Sequence, residues 1–201
     1  MNRKFARTQP MSSKDISLQR QLSATLLTGD LATCQRAVSE ELKALPRSPF
    51  HIVLDLNITT DAEAFAEFFD NFFRQVANRF PIGAAYTEMN GFCINTDLWF
   101  CNLFAYQQYG GHDDYDWLAR WQAEDPGAIA IEGLEPLQEV YGSPAFRDKN
   151  FYDACSVTDL LVVIKFQEFV HRASAHMKEL KFPLLVTAHD YDFIHEVKPG
   201  R

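Results

Sequence analysis

The chain has no glycine-rich phosphate loop, no GxSxG elbow and no HExxH pair. These absences remove the backbone cradle of P-loop and dinucleotide folds, the nucleophile turn of the α/β-hydrolases and the zinc-protease ligand pair. Clustered positive charge is also scarce. Lys and Arg number 19 against 27 Asp and Glu, a formal net charge of −8 with a pI near 5.2. The densest basic stretch is only Arg3, Lys4 and Arg7. Nucleic-acid affinity comes largely from Lys and Arg displacing counterions from phosphates, so no nucleic-acid partner is expected. An acidic field suits a basic protein instead.

Long apolar runs are missing as well. The longest, Asp159 to Phe166, falls far short of the ~20 residues a membrane span requires. The first fifteen residues begin basic but contain no apolar h-region. A cytoplasmic protein without a membrane partner is expected, with residues 1–11 as a disordered basic tail. The four cysteines, Cys34, Cys93, Cys101 and Cys155, form no CxxC pair and sit among apolar neighbours. They read as small buried hydrophobes of a reducing compartment. Cys93 and Cys101 are the two that a hairpin would bring face to face.

What is present is a core-forming sequence. Hydrophobic residues are 47% and aromatics 13%, with 17 Phe. A chain of this length buries roughly 70% of the surface it exposes when unfolded, so it needs no disulfide or metal to fold. Ser12 or Ser13 caps a helix to about Thr28 with Gly29 at its C′ position, and Asp30 caps a second to about Leu45. Together they predict a helical hairpin over 12–46, an appendage to a single α+β domain over 47–201. From Phe50 to Ile58 apolar residues alternate, which predicts a strand. His51, Asp55 and Asn57 would share its other face. Thr60 to Glu63 has the form of a capping box. The helix after it carries Phe65, Phe69, Phe72, Phe73, Val76 and Phe80 at helical spacing, a core stripe rather than a binding surface.

Ile82 to Met89 reads as a strand, followed by an Asn90-Gly91 hairpin turn and a second strand through Leu98 to Tyr106. In that strand Phe100, Phe104 and Tyr106 share one face, and Trp99, Cys101, Leu103 and Ala105 the other. It therefore reads as buried on both sides and central. A short helix at Trp117 to Trp121, capped by Asp113 or Asp114, an edge strand at Ala128 to Ile131 and a short helix at Leu134 to Tyr141 follow. Ser156 then caps a helix to about Leu180, and Phe182 to Ala188 forms the last strand. The fold class is α+β: a mixed or antiparallel sheet of about four to six strands with helices mainly on one face.

Two segments hold candidate functional residues. The first is Tyr106 to Asp125, in which Tyr109, Tyr115, Asp116, Trp117 and Trp121 combine aromatic anchors with carboxylates that steer a basic partner. The expected function is a small acidic protein-binding domain, an inhibitor or immunity-type antagonist of a basic partner, with no cofactor. The second is a pair of similar acidic-aromatic stretches at two strand exits, Asp113-Asp114-Tyr115-Asp116 and His189-Asp190-Tyr191-Asp192. His112, Asp114, His189 and Asp190 are suitable ligands for a divalent metal. They supply the alternative reading, a metal-dependent hydrolase, and it requires the two exits to lie side by side.

Overall fold

The computed structural model describes residues 12–92, 95–189 and 191–199. The expected N-terminal tail, Cys93 and Asp190 lie outside them. Helix α1 (Ser13–Leu27) starts where Ser12 accepts from the Asp15 amide, and α2 (Leu31–Ala44) where Asp30 accepts from the Thr33 amide. Gly29 between them has φ +79°, a left-handed conformation that glycine adopts without steric cost. Leu18, Leu22 and Leu26 of α1 and Cys34, Val38 and Leu42 of α2 belong to the same buried cluster as the sheet.

The expected strand at Phe50–Ile58 is instead a 3-10 turn over Pro49–Asp55. Pro49 presets a helical φ at its first position. His51 Nδ1 accepts from the Ser48 amide at 3.2 Å, closing the turn. Phe50 and Val53, three apart, are buried while Ile52 is 36% exposed, which is the 3-10 spacing rather than strand alternation. No sheet ladder takes up its carbonyls; Thr158 Oγ1 donates to Phe50 O and Lys165 Nζ to Leu56 O. His51 and Asp55 accordingly share no strand face.

Helix α3 (Ala62–Ala77) is capped by Asp61, which accepts from the Ala64 amide at 2.7 Å. The expected Thr60 cap is not used; the Thr60 hydroxyl accepts from the Glu132 amide at 2.8 Å and ties a distant loop to the helix start. The phenylalanine stripe is core as expected along the helix, where Phe65, Phe69 and Phe73 are fully buried, Phe65 stacked on Phe69 and Phe69 edge-on to Phe73. Phe80, expected in the same helix, lies beyond its end and is half-buried.

Strands β1 (Ala84–Asn90) and β2 (Phe100–Tyr106) pair antiparallel. β1 ends at Asn90 and β2 begins only at Phe100, so a two-residue Asn90-Gly91 turn does not join them, and the positive φ falls on Phe92. Gly91 serves close approach instead: a Cβ there would lie 2.8 Å from the Trp99 ring. The short strands β3 (Ala123–Glu124) and β4 (Ile129–Ala130) both pair with β2 at its outer edge. After α4 (Glu135–Tyr141) and two 3-10 turns, α5 runs from Tyr152 to Ala173. It starts one turn before the expected Ser156 cap and ends before Leu180. Ser156 lies inside it, accepting from the Ser12 amide and donating to Asp15. Sixteen of its 22 residues are buried, on every side, so α5 is the rod around which sheet and helices pack.

β5 (Leu184–Ala188) lies parallel to β1, and β6 (His195–Val197), in what reads from sequence as a polar end, antiparallel to β5. The order β3-β2-β1-β5-β6 makes β1, not β2, the central strand. The sheet is mixed. Its helix face holds Leu103, Ala105, Leu184 and Val186 in the main core, while Tyr86, Phe104, Tyr106, Leu185 and Ile194 form a smaller cluster on the other face. No helix among the described residues is long and apolar enough to cross a membrane.

Candidate functional site on the outer sheet face

The outer face is covered only in part. Beyond Tyr106 the chain folds back across it and returns to the sheet edge, where the Gln122 amide donates to Ala105 O and the Gln107 amide to the Gln122 side chain. Within this excursion a 3-10 turn spans Asp116–Ala119, where a short helix is expected. The Asp114 carboxylate accepts from the Asp116 amide at 2.7 Å and initiates it.

Trp117 anchors the excursion. Its ring meets Tyr106 edge-on at 4.8 Å and Tyr109 at 5.8 Å, and its Nε1 donates to Gly111 O. Gly110 permits this, since a Cβ there would lie 2.3 Å from the indole. Tyr106 holds the far side by donating its hydroxyl to Leu118 O at 2.8 Å. The result is a cleft of about 490 Å³ walled by Tyr106, Gln107, Tyr109, Trp117, Arg120 and Gln122. Next to it Trp121 lies 5.2 Å from Phe104, which stacks on Tyr86. Tyr109 is 37% and Trp121 46% exposed.

One flank of the cleft is a hydrogen-bonded group centred on Glu196. Its Oε2 accepts from the Tyr109 hydroxyl at 2.5 Å and lies 2.8 Å from His112 Nε2. His112 Nδ1 is 3.2 Å from the Tyr115 hydroxyl. Burial, then the Glu196 carboxylate, pushes the Tyr109 and Tyr115 phenols above their ordinary range. Both remain neutral hydrogen-bond donors. A parallel group stands on β1, where Glu88 accepts from the Tyr86 hydroxyl at 2.8 Å and lies 3.0 Å from His189 Nδ1.

The structure thus gathers Tyr109, Tyr115, Asp116, Trp117 and Trp121 on one surface, with His112 among them. His112 and His189 are not brought together. Glu196, the partner of His112, sits opposite Leu185; His189 follows Ala188, four residues along, roughly 13 Å of extended chain from Leu185. The exits of β2 and β5 lie at opposite ends of the sheet, because β2 runs against β1 and β5 with it. Asp114 is engaged by its own turn. Among the described residues no three His, Cys, Asp or Glu side chains are grouped to hold a metal ion.

Glu88, Glu196 and Arg120 are not among the residues that the sequence singles out. Strand alternation puts Tyr86 and Glu88 on one face and offers a signal for the first. Glu196 has none, since its three-residue strand is too short to show a period. Asp113, Asp114, Asp116 and Glu124, in the same segment of chain, are exposed, and none enters an ion pair among the described residues; the charged residue that lines the cleft itself is Arg120. Comparison of the chain with protein-family models, curated proteins and solved structures finds no match.

Proposed function

We propose that the outer sheet face binds a basic protein, and that the chain acts as an inhibitor or immunity-type antagonist by occupying that partner's surface. The observation that carries this reading is the aromatic cleft on a segment whose exposed carboxylates, Asp113, Asp114, Asp116 and Glu124, enter no ion pair among the described residues. Trp and Tyr are the side chains that most often supply interface binding energy. Exposed carboxylates raise the rate of encounter with a cationic surface and add little affinity of their own. Glu196 holds the Tyr109 ring by its hydroxyl, so less side-chain entropy is lost there when a partner arrives. The absence from the sequence of phosphate-loop and nucleophile-elbow motifs agrees with recognition rather than turnover.

Selection of binders from a random peptide display library tests the reading directly. Enriched sequences should be rich in Lys and Arg, and their binding should fall with salt and in both Trp121→Ala and Asp116→Lys. Enrichment without basic bias, or binding indifferent to both substitutions, would overturn it.

A further inference from the structure

Helix α5 carries one cation into the interior. Lys165 is 7% exposed, and its Nζ donates to Leu56 O at 2.6 Å. An ammonium has three donors, and among the described residues no carboxylate lies within ion-pair distance of this one. A buried charge without a counter-charge is costly. The direction of its pKa agrees: burial lowers it, against weaker opposing pulls from Glu168 and Asp55.

Beside Lys165 a cavity of about 330 Å³ opens between α2, α5 and the chain leaving the Pro49–Asp55 turn. Gln35, Asn57, Ile58, Lys165, Glu168 and Arg172 line it. Two of these are cations and one is a carboxylate, a net positive site in a chain of formal charge −8. Glu168 accepts from Arg172 Nε at 2.7 Å, which leaves the guanidinium's other nitrogens available. The side-chain amides of Gln35 and Asn57 add neutral donors. Hydrogen-bond donors thus predominate on the walls, and the buried cation has no carboxylate of the described residues in contact.

We propose that this cavity is a binding site for a small oxyanion, a carboxylate or a phosphate, that supplies the counter-charge of Lys165. Arg172 contacts it from the rim, and Gln35 and Asn57 complete its hydrogen bonding. The volume is at the small end of ligand pockets and suits a compact metabolite or inorganic ion.

Thermal unfolding of the full chain in sodium phosphate, sodium acetate and sodium chloride at one ionic strength tests this. The midpoint should rise saturably with phosphate or acetate and not with chloride, and the anion that acts names the ligand class. Affinity should fall at least about tenfold in Arg172→Gln, as loss of a charged hydrogen bond implies, and disappear in Lys165→Met. Without the anion, Lys165→Met should unfold at or above the wild-type midpoint, because it removes a buried charge that no carboxylate contacts. A lysine that merely braces Leu56 O would give the opposite sign. Asn57→Ala, on the cavity wall outside α5, gives a second weakened variant should Lys165→Met fail to fold. No saturable rise in either oxyanion beyond chloride, or a rise unchanged in Arg172→Gln and Asn57→Ala, overturns the proposal.

Discussion

His195 Nε2 lies 3.1 Å from His171 Nδ1, joining β6 to the last turn of α5. Only one proton can occupy that line, so the pair is compatible with neutral rings and not with two imidazolium ions. Burial, and secondarily His171, pulls the His195 pKa down from 6.5 to about 4. A base whose folded pKa is depressed contributes its full stability above the unfolded pKa and loses it as pH falls toward the folded value. The fold should therefore weaken between pH ~6.5 and ~4, by up to about 3 kcal/mol from this group. Urea unfolding at pH 7 and pH 5 measures the loss. It should shrink in His195→Gln, and an equal loss in that variant would remove His195 as its cause.

The phenylalanine series on α3 carries a large share of the core. Phe69 is fully buried, 4.6 Å from Phe65 and 6.0 Å from Phe73. Phe69→Ala should cost about 3–5 kcal/mol in denaturant unfolding. A loss below about 1 kcal/mol would mean that the site collapses around the cavity or that the ring is not buried.

Asp61→Ala and Thr60→Ala separate two caps. Asp61 accepts from the Ala64 amide and should cost about 1 kcal/mol of stability when removed. Thr60 supports no helix amide; it holds the Glu132 amide. Its removal should appear as faster hydrogen exchange at Glu132, with the start of α3 protected as before.

Two neighbouring glycines should respond differently. Gly110 lies under the Trp117 ring, where a Cβ would approach to 2.3 Å, and Gly111 has φ +82° with open space beside it. Gly110→Ala should dislodge Trp117, red-shift tryptophan emission and deform the cleft. Gly111→Ala should cost about 1 kcal/mol of backbone strain and leave the emission unchanged.

Where local chemistry and packing agree, the sequence is readable. Both N-terminal caps, the Phe stripe of α3 and the two faces of β2 are found as periodicity predicts. It misleads where a short range serves a tertiary purpose. Phe50 to Ile58 alternates in composition, yet Pro49, Ser48 and His51 wind its first part into a 3-10 turn, and α5 side chains reach the carbonyls of Phe50 within it and Leu56 just after it. Asn90-Gly91 has hairpin composition, but glycine is needed there for the Trp99 ring. On the outer face, the aromatic segment is visible because all its members lie close together in the chain. Glu196 and the His171–His195 pair are not, since strand pairing and packing bring them in from distant positions.

The most direct test of the outer face as a binding surface is a ¹⁵N chemical-shift titration of the full chain with a basic peptide from the display selection. Shifts should concentrate at Tyr109, Asp116, Trp117 and Trp121, and the affinity should fall at least about tenfold in the Asp116→Lys, Trp121→Ala double variant. Shifts confined to the α1–α2 surface, or an affinity unchanged in that variant, would contradict the account.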